Sequence, residues 1–519
     1  MFYLYSMDKK KFWLFLLLSI APFTSNAQFK DRYWVFGDSA AIDFSNLSNP
    51  VAGNSILRSR GSCASICDSL DNLLFYVSDP QVSVWLSGTG NFKYGYVVNN
   101  NHQIMDNGDR LIGEMWYQEF VIVPDPGNLN RFYVFCNGEL PPVNGLYYSL
   151  VDLTYNGGVG KVVQKNIQLN GDTLCDGITA IKHGNGRDWW VLTKNWSYFP
   201  TYRNDIQVTL VSPSGATLFS KTNIGSLNTN ASFTRLKFNS DGSHLYCVHN
   251  EGMIDRFDFD RCTGVLSNFH NFVSSGSNYK NYWGFEISPN ESKIYTTSIY
   301  NTLNQDSSFL FQFDLTASNF LGSVDTLGTF VTPDLAGLLQ KGPDNKIYLS
   351  VTWAGPDSCM DYLYCYSTLN TTNSNISVIN YPDSAGATCG FQPFSFYLGG
   401  HKAYTGLPNN PNYELGPLVG SPCDTLTVGI TEAVGYKNNI TVYYDVNWQT
   451  AFVNAKGLRG KNFAFELYNI NGQLIQQQQG FLDSEYYTNN LSMVDAADGL
   501  YVVRLKTDKE VLTGKFVKR

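Results

Sequence analysis

One short pattern returns six times along this 519-residue chain: a turn-forming polar cluster, then a strand with an aromatic residue at its centre. The copies read DSLDNLLFYVSD, PGNLNRFYVFCN, GNGRDWWVLTKN, NSDGSHLYCVHN, SPNESKIYTTSI and GPDNKIYLSV. Aligned on Tyr76, Tyr133, Trp190, Tyr246, Tyr295 and Tyr348, they lie roughly 50 to 57 residues apart, the period of a four-stranded propeller blade with its loops. The polar cluster is expected to form a tight turn between two strands, and the aromatic to pack between neighbouring blades. The segment RYWVFGDSAAIDFS (32–45) has the same texture one blade earlier, and pairing with strands near Phe394 to Tyr404 would close the ring and remove its free edges. Seven blades are expected, with six or eight open. A two-sandwich arrangement is the structural alternative, but it does not account for so even a spacing.

Several blocks of this region, in order, carry a family resemblance. They are WVFGDSAAIDFS, GSCASICDSLDNLLFYVSD, HQIMDNGDRLIG, VIVPDPGNLNRFYVF, GLYYSLVDLTYNGGVG and GPDNKIYL. Together they resemble the propeller region of large secreted Bacteroidetes surface proteins, often associated with gliding motility or with PKD and sorting domains. TGLPNN (405–410) resembles the motif that ends that region. The resemblance covers nearly all of residues 31–410. It implies fold and location, and brings no active site with it.

The C-terminal stretch has its own pattern. Phe463, Phe465 and Leu467 alternate with Ala464 and Glu466, as in a half-buried strand. Asn471-Gly472 is the dipeptide favoured in a two-residue hairpin turn. Asp498-Gly499 opens a strand over 500–505, and Thr507 to Glu510 turns the chain into a last strand over 511–517. The LYNINGQLI block with Asn471 and Gly472, the Gly499-Leu500-Tyr501 block, and the Lys515-Phe516-Val517-Lys518 ending resemble the type A C-terminal sorting domain of the type IX secretion system of Bacteroidetes. That family usually opens with a strand leading into a Pro-Asn-Pro turn; the equivalent stretch here has no proline. At the other end, Lys9 to Lys11, an apolar run from Phe12 to Ile20 and Ser25-Asn26-Ala27 form a secretory signal peptide. The expected organisation is all-β: signal peptide 1–27, β-propeller 28–415, linker 416–430, and an Ig-like β-sandwich sorting domain over 431–519.

A net charge of −8 with scattered basic residues disfavours nucleic acid. No segment of the mature chain is long and apolar enough for a membrane helix. Low charge (15%), many aromatics (15%) and 45 glycines suit a secreted β-rich protein. Ten cysteines are too dilute to be the scaffold, and none has zinc spacing. Structural disulfides or buried thiols are expected, with Cys247 and Cys262, Cys359 and Cys365, and Cys389 and Cys423 as the possible pairs. Cys63 and Cys67, four apart in an extended stretch, lie too far from each other to pair.

No catalytic, cofactor or metal motif is visible: no HExxH, GxSxG or Walker loop, and no calcium loop of EF-hand type. The six histidines read as surface or hydrogen-bonded residues. Asp258 and Asp260 share one face of a strand and Asp255 the other, where an outer blade strand is expected. Trp34, Trp85, Trp116, Trp189, Trp190, Trp196, Trp283 and Trp353 are the residues most open to a ligand-binding role; Trp116 and Trp196, after loop-like sequence, are the best placed. The reading is a secreted or surface-attached binding or scaffolding propeller, with the type IX machinery and an extracellular protein or glycan as partners. The alternative is a secreted polysaccharide hydrolase or lyase using channel carboxylates.

Overall fold

The computed structural model describes residues 29–59, 61–78, 94–113, 117–138, 143–196, 203–227, 233–273, 281–299, 307–353, 369–424, 440–446, 448–456, 461–482, 486–507 and 511–518. The residues expected to form a signal peptide (1–27), Trp85, Trp116, Cys359 and Cys365 lie outside the described residues.

From Phe29 to Tyr397 the described chain forms seven antiparallel sheets, one after another. In five of them four strands follow in sequence order. Six strands, called first strands below, lead successive sheets and each lies against the next: Cys63–Asp68, Phe120–Pro124, Leu174–Lys182, Thr234–Phe238, Tyr282–Ile287 and Asp334–Lys341, with the two residues Phe29–Lys30 paired at the edge of Cys63–Asp68 to make that sheet five-stranded. The last sheet also meets the first. Trp34, Phe36 and Phe44 share one buried cluster with Tyr348, Ile376 and Val378, and the Trp34 and Tyr348 rings are 5.5 Å apart. A series of meanders whose end packs on its beginning is a β-propeller.

The repeated aromatics explain how neighbouring sheets adhere. Each of the six lies in the strand that follows and pairs with the first strand just named, and is at least nine-tenths buried. Three reach with their polar tip into the following sheet's turns. Trp190 Nε1 donates to the Arg261 carbonyl at 2.8 Å, Tyr246 Oη to Glu291 at 2.8 Å, and Tyr295 Oη to the Pro382 carbonyl at 2.7 Å. The rings supply buried apolar area and the tips fix the orientation of the next sheet. Trp189 is buried as well, on the opposite face of the same strand.

The first sheet is short of a strand. It holds Tyr33–Phe36, Asp38–Asp43 and Val51–Arg58. Its link to the chain after the seventh sheet is a bridge between Lys402 and residues Asp38 and Ser39. The pairing expected near Phe394 to Tyr404 is thus confined to Lys402. Phe391–Tyr397 is instead the outer strand of the seventh sheet, paired with Asn375–Ile379.

Beyond Tyr404 the chain stays fastened to the propeller. The Leu418 N–H donates to the Gly184 carbonyl at 2.8 Å, and Cys423 forms a disulfide with Cys262. This corrects two expected pairings. Register sets Cys247 opposite Asp255, leaving Cys262 in the turn beyond the strand, seven residues further on, where it meets residues arriving from Cys423. Cys247 and Cys389 are buried thiols. Cys63 and Cys67 lie on one strand and are not disulfide-bonded.

The C-terminal residues form two sheets around one core. Ile440–Asp445, Thr450–Lys456 and Tyr486–Ser492 make the first; Leu474–Leu482, Lys461–Asn469, Gly499–Thr507 and Val511–Lys518 make the second, in that spatial order. Phe463, Phe465 and Leu467 point inward as their alternation requires. The turn departs from the expected two-residue form. Gly472 N–H donates to the Asn469 carbonyl at 3.0 Å, so Ile470 and Asn471 are its central residues. Gly472 follows with a φ of 77°, a left-handed position that glycine fills without strain.

Candidate functional site

The first strands of the sheets run in one direction around the central channel, so the channel has an entry end and a far end. At the entry end, Phe233 stands just before its strand, Trp283 at the start of its strand and Tyr117 ahead of Phe120–Pro124. Their rings touch: Tyr117 and Trp283 are 4.6 Å apart and Phe233 and Trp283 5.4 Å. The Arg235 guanidinium lies 5.5 Å from the Tyr117 ring, and its Nε donates to the Trp283 carbonyl. Tyr117 is buried, while Phe233 and Trp283 are half-exposed.

Deeper in, Arg235 pairs with Asp176 at 2.6 Å, and Asp176 also accepts the backbone N–H groups of Tyr117 and Gln118. One layer further, Lys237 donates to Glu286, the Leu339 carbonyl and Gln340. Burial pulls the Lys237 ammonium pKa down. Burial alone would raise Glu286, but Lys237 and Lys341 hold it below the usual carboxylate range. Both acids are therefore locked to cations rather than set apart as an acid–base pair.

Residues 405–410 run against the central strands. Gly406 lies so close to Gly61 that an added Cβ would stand 1.8 Å from its carbonyl oxygen, which restricts the position to glycine. Asn409 donates through Nδ2 to the Phe120 and Ile178 carbonyls, both at 2.9 Å, and accepts from Gln118 at 3.1 Å. Its backbone N–H donates to the Cys63 carbonyl. A single side chain and its amide thus join three sheets. The TGLPNN segment was legible as a motif, but only the fold shows it threaded among the central strands.

At the far end a polar cavity of about 260 Å³ opens beside Lys237, Glu286, Asn239, Asn410 and Asp31. Burial pushes the Asp31 carboxyl up to about 7, although Asn410 and Trp34 donate to it. The sorting region sits at this end too. Tyr443 Oη donates to the Pro126 carbonyl at 2.7 Å, Asn130 donates to Thr488 at 3.1 Å, and Arg187 pairs with Asp445. Pro126, Asn130 and Arg187 all lie in turns that follow first strands.

Of the residues singled out from sequence, Trp196 is half-buried just after the strand Trp189–Asn195, and its backbone N–H donates to the Thr173 carbonyl at 2.9 Å. That puts it at the entry end. Tyr501 is buried and stacks on Phe516 at 5.3 Å. Gly499 opens its strand, Lys518 is buried with Nζ on the Ala496 carbonyl, and Lys515 is partly exposed opposite Val502. Asp255 is buried and bonded to His249, Ser226 and Asn271, whereas Asp258 and Asp260 serve neighbouring turns and His244. No group of three or more metal-ligating side chains occurs among the described residues.

With this geometry in place, likeness to known proteins can be weighed. Residues 437–519 match the secretion system C-terminal sorting domain family. The protein is a secreted one, destined for the cell surface or the extracellular space, and its tail engages the secretion machinery. Among curated proteins, no sequence matches. Similar solved structures include a protein of unknown function from Desulfotomaculum acetoxidans (12% identity, TM-score 0.34, 76% of this chain and 95% of that one). Another is the β-propeller domain of Swd1 from Myceliophteria thermophila (11%, 0.33, 63% and 93%). A third is a quinonprotein alcohol dehydrogenase-like protein from Bacteroides thetaiotaomicron (12%, 0.34, 70% and 74%). No helix in the described residues is long and apolar enough to cross a membrane.

Proposed function

We propose that this protein is an exported binding or scaffolding propeller that grips a protein or glycan at the entry end of its channel. The observation that carries the reading is the half-exposed Trp283–Phe233 surface, backed by Tyr117 and Arg235, at the end away from the sorting region's contacts. Aromatic faces of this kind stack on sugar rings or bury apolar side chains. Trp196 belongs to the same end and would extend the grip. We read the seven sheets as seven blades, with residues 398–409 completing the first. The division is a propeller over 28–415 and a type IX sorting domain of Ig-like form over 431–519, in a Bacteroidetes surface protein of the gliding-motility type. The alternative, a polysaccharide hydrolase or lyase, needs two carboxylates poised as acid and base; the pairing of Asp176 with Arg235 and of Glu286 with Lys237 weighs against it.

A glycan array and a pull-down with the full-length secreted chain would identify the ligand. Trp283→Ala is expected to weaken its binding at least tenfold; unchanged affinity would refute the site. Deleting residues from 425 onward should leave the propeller in the periplasm on fractionation. Its appearance in the medium would overturn the export reading.

A further inference from the structure

The strand Leu474–Leu482 is the outer strand of its sheet, hydrogen-bonded only to Lys461–Asn469. Every residue from Leu474 to Phe481 is exposed with the propeller in place. Its sequence, LIQQQQGFL, has no charge and no proline. Edge strands in soluble proteins are normally guarded against pairing with other chains. Several of the propeller's outer strands carry such guards: Lys161–Asn170 has two lysines, Gly215–Asn223 one, and Phe391–Tyr397 a proline. Val265–Val273 is interrupted by register shifts and a positive φ at Asn268. Leu474–Leu482 has none of these guards over its regular pairing from Gln476 to Leu482.

The sequence of this edge is also complementary to itself. Laid antiparallel on a second copy and centred on Gln478, it sets Gln477 opposite Gln479 and Gln476 opposite Gly480. Ile475 then meets Phe481, and Leu474 meets Leu482. A register centred one residue earlier sets Ile475 opposite Gln479 and Leu474 opposite Gly480, so the apolar pairing is lost. Ile475 and Phe481 are 45% and 62% exposed, so their mutual burial would be a net gain. A two-fold contact needs one patch complementary to its own copy, which this strand supplies.

We propose that the sorting domain pairs two copies of this protein through antiparallel addition of Leu474–Leu482, making one continuous eight-stranded sheet. The occupant of the edge is a second copy of the chain rather than an unrelated strand, because the register centred on Gln478 pairs the regular stretch from Gln476 to Gly480 with itself and sets the exposed Ile475 beside the exposed Phe481.

The test uses the full-length secreted protein. In analytical ultracentrifugation its mean mass should rise with concentration toward that of a dimer. Gln478→Lys, which opposes two like charges on the axis, should weaken association at least tenfold while leaving the circular dichroism spectrum unchanged. Gln478→Cys should form a disulfide-linked dimer on mild oxidation, because only the axial residue faces its own copy at a bridgeable distance. Gln476→Cys should cross-link far more slowly. A chain that stays monomeric, or cross-linking equal at both positions, would overturn the proposal.

Discussion

Replacing Asn409 by Ala tests whether the segment running against the central strands holds the propeller closed. The change keeps the backbone bond to the Cys63 carbonyl and removes three side-chain bonds: two to the Phe120 and Ile178 carbonyls and one from Gln118. At roughly 1 kcal/mol net for each bond the loss is about 3 kcal/mol. Asn409 is not fully buried, and water replacing part of the set brings the expected loss to about 2 kcal/mol. Asn409→Asp should cost more, because a carboxylate would face two carbonyl oxygens without a donor between them. The control is Asn412→Ala, whose side chain donates to the Ser240 carbonyl at an exposed position and should shift stability by about 0.5 kcal/mol or less. Urea unfolding of the full-length oxidised protein, followed by tryptophan fluorescence, reads these differences as midpoint shifts at constant slope. If Asn409→Ala shifts the midpoint no more than Asn412→Ala, the central side chain does not join the sheets and the argument for closure fails.

Further outcomes follow from the same structure. Cys262 and Cys423 are 161 residues apart, and a loop near that length restricts the unfolded chain by about 5 kcal/mol in the chain-entropy model. The double Ser variant should therefore lose 2–5 kcal/mol by roughly the usual range for native disulfides, checked by denaturation, and a loss under about 1 kcal/mol would contradict the pairing. Burial raises the Asp31 carboxyl from its ordinary 3.8 to about 7, so the folded state holds its proton more tightly. That contribution is complete below about pH 4 and is lost as pH rises through about 7, so Asp31→Asn should flatten the fall in melting temperature between those values. Tyr443→Phe removes the bond to Pro126 and should raise hydrogen exchange where the sorting region meets the propeller, leaving the channel unaffected.

Much of the architecture was legible because it is local. The spacing from Tyr76 to Tyr348 marks the strand paired with the first strand in six successive sheets, and each aromatic is buried as a packing role demands. The alternation of Phe463, Phe465 and Leu467 likewise fixed the inner face of its strand. The site was less legible. Gln118, Asp176, Arg235 and Asn409 carry no motif in common, and Trp283 was one tryptophan among eight, ranked behind Trp116 and Trp196. Cysteine pairing failed for the same reason: proximity in sequence favoured Cys247 with Cys262, whereas strand register separates them.

Residue order alone determined the strand period, the repeat length and the place, though not the form, of the turn near Gly472, since side-chain alternation and positive φ are properties of a few consecutive residues. Only the tertiary structure decided what runs against the central strands. Asn409 meets Phe120 across 289 positions and Cys423 meets Cys262 across 161, distances over which no local pattern carries information. Closure of the ring brings those groups together. The burial it creates then ties Asp176 to Arg235 and Glu286 to Lys237, and leaves Trp283 half-exposed at the entry end.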